Sequence, residues 1–480
     1  MSIESRRDFV KTIALGVAAT AFPVTARGAS ASNFTTKRPP VGQRKFTSRT
    51  VEETITRVQR QIADPELAWM FGNCFPNTLD TTVRFGTVNG QPDAFLVTGD
   101  IDAMWLRDSA CQVWPYLRLA KQDEALRGLF RGLIGRHARS ILIDPYANAF
   151  FFDGQSTKKL PWTARDVTEM RPGAAERKWE VDSLCYCIRL AHGYWHETGD
   201  AAPFGDEWQR AMRSLVATFH EQQRKTSHGS YHFQRLSEIP TESLILDGYG
   251  NPTKPMGMIH SMFRPSDDAC IYPFFIPANL FAVVSLRQLA EMATALMKDV
   301  AFAQECKSLA DEIESAIKAY GYIASSNSTR YWAYEVDGYG NQLFMDDANV
   351  PSLLSLPYLG YCSLADPVYL ETRAKVWSDA NPYFFRGRSV EGVGSPHTGL
   401  DQIWPISLLI RALTSTDDAE ILQCLRWVKA THAGTGFIHE SFDKNDAMRF
   451  TRSWFAWANS LFGELILRLS EERPALLRSV

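Results

Sequence analysis

His439-Glu440-Ser441-Phe442 is followed closely by Arg452, Trp454, Phe455, Trp457 and Asn459. A carboxylate beside flat aromatic rings and planar donors is what cleavage of a glycosidic bond requires. The carboxyl moves a proton, while the rings and polar forks hold sugar. Two earlier segments repeat this chemistry: Thr98-Gly-Asp-Ile-Asp-Ala-Met-Trp-Leu-Arg-Asp-Ser109 and Arg264-Pro-Ser-Asp-Asp-Ala269. Three clusters of carboxylate and arginine, far apart in the chain, predict one site assembled from several loops.

In Arg264-Pro265-Ser266-Asp267-Asp268, the proline biases Arg264 toward an extended backbone, and Ser or Asp suits the start of a following helix. One aspartate is expected to cap that helix, which leaves the other for chemistry. Crowding raises the pKa of whichever carboxyl is less solvated, and a carboxyl that keeps its proton near neutral pH can protonate a leaving oxygen. Asp267 and Asp268 are both candidates for this acid. Glu440, in a loop before the last helix, suits a base that activates water. Asp100, Arg107 and Asp108 read either as a structural Arg–Asp pair at a helix start or as a charged fork for sugar hydroxyls, with Trp105 as a stacking platform. Asp182, Arg264, His397, Arg452 and Trp454 complete the candidate substrate-binding set.

Other chemistries fit poorly. His196-Glu197 does not continue to a second histidine as H-E-x-x-H, and neither G-x-x-x-x-G-K-[ST] nor G-x-S-x-G occurs. Histidines and cysteines do not read as zinc ligands, so neither a metal nor another cofactor is expected. The eight cysteines are scattered without a C-x-x-C pair and read as buried free thiols.

The elements that must position these residues are mainly helical. Val300 to Tyr320 shows Phe302, Cys306, Leu309, Ile313 and Ile317 on one stripe, with Asp299 to cap the start and Gly321 to end it. Comparable patterns cover 51–71, 105–121, 123–143, 180–198, 206–225, 273–297, 349–359, 368–378, 399–414, 417–431 and 452–471. With 299–320 they make about twelve helices. Turn-rich stretches separate them at 144–178, 226–272, 321–348 and 379–398, with strand-like pieces such as Tyr331–Val336. The letters Asp-Gly-Tyr-Gly-Asn occur twice, at 247–251 and 337–341, and read as turns and not as a repeat. Helices in pairs around loop-bearing ends predict an all-α fold, an (α/α)6 barrel of six hairpins with long loops and short strands at one end. Its single catalytic domain would cover 49–480.

Before it, 32–48 is polar and reads as a linker or tethered arm. Residues 1–31 read as a twin-arginine export signal: Arg6-Arg7, an apolar run from Ile13 to Val24, then Ala29-Ser30-Ala31 for cleavage. That run is too short to span a bilayer, and no other segment reads as long and uncharged enough to do so. Hydrophobic residues make up 45%, charged residues 22%, and the formal net charge is −3. This balance argues against nucleic acid as a partner.

The motifs resemble glycoside hydrolase family 125, the exo-α-1,6-mannosidases. The matching stretches are 98–109, Asp182-Ser-Leu-Cys-Tyr186, 264–269, Gly394-Ser-Pro-His-Thr398 and 439–465, in family order. The resemblance implies an (α/α)6 barrel that removes non-reducing terminal α-1,6-mannose with inversion and without a metal. An aspartate of Arg-Pro-Ser-Asp-Asp would be the acid and Glu440 the base. Asp102 departs from the family pattern, where proline is common, and adds a charge near the pocket. The expected partner is a mannose-containing glycan, acted on by a monomer that reaches the periplasm or the medium. The alternatives are another inverting α-glycosidase of glucoamylase or trehalase type, and a glycan-binding protein without catalysis.

Overall fold

The structure is a computed structural model and describes residues 34–325 and 329–480. The expected export signal at 1–31 lies outside these residues. Residues 34–48 run along the helical body. Arg38 pairs with Asp80 at 2.7 Å and with Glu52, the Lys37 amide donates to Asn73 at 2.9 Å, and Phe34 lies 5.2 Å from Trp69. Ser48 then caps the helix Arg49–Gln59 by accepting from the Val51 amide. That helix buries Val51, Ile55 and Val58 at the three- and four-residue spacing of a helical stripe.

Helix follows helix along most of the chain. Leu106–Val113 packs against Val181–Thr198, which packs against Ile276–Met292; Ala456–Glu472 packs against both Leu106–Val113 and Pro405–Leu413. A second set lies against these: Glu124–Ile143 with Asp206–Gln222, Val300–Tyr320 on Ile276–Met292, Asp418–Ala430 on Pro405–Leu413, and Pro65–Cys74 on Ala456–Glu472. Gly132 permits close approach within this packing, since a Cβ there would meet the Ala94 nitrogen at 2.8 Å.

Several expected helices change form where proline or aspartate intervenes. The expected 51–71 helix breaks into Arg49–Gln59 and Pro65–Cys74, because Asp64 caps a new start and Pro65 takes the first helical position. The 105–121 helix is α-helical over Leu106–Val113 and then 3₁₀ over Trp114–Gln122, from Pro115 onward. The 399–414 segment is a strand, Gly399–Ile403, before a helix that opens with Pro405. The 349–359 segment is not a helix. Its turns follow Pro351, and Asp346 accepts from the amides of Leu353 and Leu354 at 2.8 and 3.0 Å. This segment still packs with the helices: Tyr186 donates to the Val350 carbonyl, and the Tyr358 hydroxyl reaches Glu464 at 2.8 Å. The Val300–Tyr320 helix forms as expected, with Asp299 accepting from the Phe302 amide at 2.9 Å.

The strands exceed the sequence expectation. A five-stranded antiparallel sheet runs in the order Phe384–Arg386, Glu391–Ser395, Gly399–Ile403, Phe442–Asp443, Asp446–Phe450. The register Ile403↔Phe442 sets the turn carrying His397 beside the segment carrying Glu440. Contrary to expectation, one segment among the described residues, Ile276–Met297, is long and apolar enough to cross a membrane. It is a core helix, with Leu280, Phe281, Val283 and Leu286 fully buried. The eight cysteines are all free, as expected.

Candidate active site

Loops and the first turns of the packed helices carry the candidate residues, and the first convergence is at Arg107. Its guanidinium lies 2.5 Å from Glu180, 3.3 Å from Asp182, 3.6 Å from Asp108 and 3.7 Å from Asp267. Every one of these side chains is at most 5% exposed. Four carboxyl groups around one cation cannot all ionise cheaply in a desolvated setting. Burial pushes Glu180 and Asp182 upward against the pull of Arg107; the charge of Glu180 raises Asp182 further, and that of Glu176 raises Glu180. Asn148 ties the group together, donating toward Glu176, Glu180 and Asp267 at 3.1, 3.3 and 3.3 Å. The Lys178 ammonium donates to the Asp267 carbonyl at 2.6 Å.

Asp267 and Asp268 do not stand at a helix start, contrary to expectation. The next helix begins at Ile276, and no side chain caps it. The pair instead occupies a tight turn closed by the Arg264 amide bonding the Asp268 carbonyl at 2.8 Å, with the Phe263↔Ala269 bridge below it. Asp267 has φ 66°, the left-handed region that a non-glycine residue rarely adopts. Its carboxyl faces Arg107 and Asn148, whereas Ser266 donates toward the Asp268 carboxyl at 3.4 Å. Asp347 lies near enough to Asp268 for the two charges to repel. It is buried, held by Asn349 and by Ser395 at 2.8 Å, and burial pushes its carboxyl upward.

Glu440 forms the second station. Thr451 donates to one carboxyl oxygen at 2.8 Å, and Arg452 donates to the other at 3.2 Å. Arg452 also pairs with Asp100 and is close enough to Asp108 to feel its charge, so the two stations are joined. His439 fixes this turn: its Nδ1–H donates to the Arg452 carbonyl at 2.8 Å, and its ring stacks on Phe450 at 4.0 Å. Burial pushes His439 down to about 4, so it is neutral at ordinary pH. The Arg107 guanidinium lies over the Trp457 ring at 5.9 Å.

The remaining candidates divide. Asp182 sits in the first turn of Val181–Thr198, within the Arg107 group. His397 is buried in the turn between two strands, where its amide bonds the Ser395 hydroxyl at 3.2 Å. Trp454 is half-buried. Trp105 is not an open platform: it is fully buried in a small cluster with Ile101, Ala103, Ala149 and Trp162. Arg264 is committed behind the turn, 2.6 Å from Glu335 and over the Tyr334 ring. Asp102 is exposed and paired with Arg84 at 2.5 Å.

Sequence reasoning missed Asn148, Glu180, Lys178, Asp347 and Thr451. Glu180 was within reach, two residues ahead of Asp182 on the same helix start. It also passed over a possible metal group. His192 and His196 are one helical turn apart and both bond Glu291, at 3.0 and 3.1 Å, with the ligand atoms within 4.8 Å of one another. This group lies toward the far end of the helix that begins beside Asp182, about 15–20 Å along its axis, apart from the carboxylates.

Residues 64–467 match the family described as metal-independent alpha-mannosidase, GH125. The meiotically up-regulated gene 157 protein of Schizosaccharomyces pombe is 43% identical over 460 residues, covering 92% of this chain and 90% of that one. A Streptococcus pneumoniae structure, described as a metal-independent alpha mannosidase in a non-productive complex with alpha-1,6-mannobiose, superposes with a TM-score of 0.85. It is 41% identical and covers 89% of this chain and 100% of that one. A bacterial glucoamylase bound to acarbose has a TM-score of 0.52 at 13% identity, over 90% of this chain and 59% of that one, and shares the fold alone.

Proposed function

The chain belongs to the metal-independent α-mannosidases of glycoside hydrolase family 125, and from that premise we propose that it removes a non-reducing terminal α-1,6-linked mannose with inversion. The bound α-1,6-mannobiose of the Streptococcus relative supports the linkage. The two packed helix sets, five helices in each, with the turns of 349–359 packed among them, support an (α/α)6 barrel as the scaffold.

The observation that carries the mechanism is the pair of carboxylate stations, Asp267 with Asp268 and Glu440, on separate loops and joined through Arg107, Asp108 and Arg452. One of the two aspartates protonates the glycosidic oxygen as the C–O bond breaks. Glu440 takes a proton from water, whose oxygen attacks the anomeric carbon from the opposite face. Such a route needs about 6.5–9.5 Å between the two carboxyls. In this reading Arg107 and Asn148 hold the acid side with Asp182 behind them, Thr451 and Arg452 hold the base side, and Asp100, His397 and Trp454 contact the sugar. No metal enters any step.

The test is proton NMR of α-1,6-mannobiose hydrolysis in its first minutes. Fresh β-mannose is expected. Fresh α-mannose would mean retention and a different nucleophile, and absence of hydrolysis would reject the activity. The twin arginines support export of the folded enzyme to the periplasm or medium, with which free cysteines are compatible. Fractionation tests this, and a cytosolic protein still starting at Met1 would refute it.

A further inference from the structure

The pentapeptide Asp-Gly-Tyr-Gly-Asn, read from the sequence only as two turns, has a shared destination. The loop 247–251 and the loop 337–341 both line one groove of about 590 Å³, within the volume range of small-molecule sites. In each copy the glycines flanking the tyrosine have positive φ: 88° and 81° around Tyr249, 86° and 109° around Tyr339. Glycine alone takes this backbone on both sides without strain, so each tyrosine is set on the crest of its turn. The internal bonding differs. Asp337 accepts from the amides of Tyr339 and Asn341, whereas the Gly248 and Gly250 amides both bond the Ile245 carbonyl. Two loops of unlike internal bonding thus place the same side chain in the same groove, and the Lys254 amide ties them by donating to the Asp337 carbonyl at 2.9 Å.

We infer that this groove is an accessory glycan site that holds a mannan chain away from the bond being cleaved; this rests on the mannosidase reading above. Tyr339 is 64% exposed, and Tyr249 is half-buried with the His228 ring 5.4 Å away. Flat aromatic faces between Ser227, His228, Asn251 and Thr253 suit the apolar faces and hydroxyls of a sugar. The groove does not suit an anion. Lys225 is paired with Glu312 at 2.7 Å, and Arg224 is buried, donating to the Tyr249 carbonyl at 2.9 Å. A chain of hydrogen bonds also joins the groove's wall to the catalytic turn. Asn251 donates to the Ile271 carbonyl at 2.7 Å, the Ile271 amide donates to Glu335, and Glu335 holds Arg264. Ile271 follows Asp268 by three residues, a span of at most about 10 Å.

The test compares the native protein with Tyr339→Ala and Tyr249→Ala. In affinity electrophoresis through a gel containing linear α-1,6-mannan, the native protein should be retarded more than either variant. KM on that polymer should rise about fivefold or more in the variants, with kcat and all constants on α-1,6-mannobiose unchanged. Equal retardation and equal polymer KM would overturn the groove while leaving the mannosidase reading intact. If the native protein hydrolyses neither substrate, the mannosidase reading fails, and the electrophoresis still decides whether the groove binds glycan. Tyr339→Phe, which keeps the ring, should behave as native; loss of retardation there too would exclude stacking as the basis.

Discussion

Arg452 Nε lies 3.2 Å from Glu440 Oε1, and the same guanidinium turns its other arm to Asp100. Glu440 is 4% exposed, so this contact and the Thr451 hydroxyl fix the direction of a carboxylate that has little water around it. Glu440→Gln keeps the shape and loses the base. Its rate on α-1,6-mannobiose should fall about 10²–10⁴-fold with the melting temperature close to native. Native turnover in this variant would remove Glu440 from the mechanism.

The acid side is tested by leaving group. Asp267→Asn and Asp268→Asn are each assayed on α-1,6-mannobiose and on an aryl mannoside whose phenolate leaves without protonation. The variant lacking the acid should lose about 10²–10⁴-fold on the disaccharide and far less on the aryl substrate. A positioning residue should lose similarly on both. Native rates on both substrates in both variants would remove this turn from catalysis.

Arg107 is the countercharge of four buried carboxyl groups, so its loss should be felt in stability as well as rate. Arg107→Met should lower unfolding free energy by about 3–5 kcal/mol, the cost of stranding buried charge, read from denaturant midpoints. Adding Glu180→Gln should recover part of that loss, because the 2.5 Å partner no longer carries charge. A double variant no more stable than Arg107→Met would mean that the guanidinium acts through packing on Trp457 and not through Glu180.

The helical character of the chain and the three chemical clusters are legible in the sequence because each is local. The Val300–Tyr320 stripe, its Asp299 cap and the Thr98–Ser109 motif depend on neighbours a few residues away. What is not legible depends on distant contacts. Trp105 carries the composition of a sugar platform, but Ala149 and Trp162 enclose it. Arg264 belongs to the motif, but Glu335, in another loop, claims it. Asn148 sits in an unremarked stretch and becomes central only when Glu180 and Asp267 fold onto it. The five-stranded sheet is hidden for the same reason, since its short strands form through pairings such as Ile403↔Phe442.

The stretch 32–48 reads as a linker by composition, yet in its described part Arg38 is 9% exposed in its side chain and shared between Asp80 and Glu52. Arg38→Ala should release it. Limited proteolysis should then cut ahead of Ser48 faster than in the native chain, with a stability loss of about 1.5–3 kcal/mol for hydrogen bonds to charged groups. Equal cleavage rates would mean that the Phe34 and Lys37 contacts hold the arm without Arg38.

Asp346 gives a pH dependence of definite sign. Burial pushes its carboxyl up to about 8, against the two amides that favour its charge. In the unfolded chain it titrates near 4, so between these values the folded state holds the proton and the unfolded state does not. Stability from this group is therefore complete at low pH and is lost as pH rises from about 4 to about 8. Asp346→Asn cannot titrate, so the difference in melting temperature, native minus variant, should shrink as pH is raised from 5 to 8, by about 1–2 °C per unit. The variant serves as the reference for all other groups, and a difference that stays constant across that range would show that Asp346 is ionised throughout.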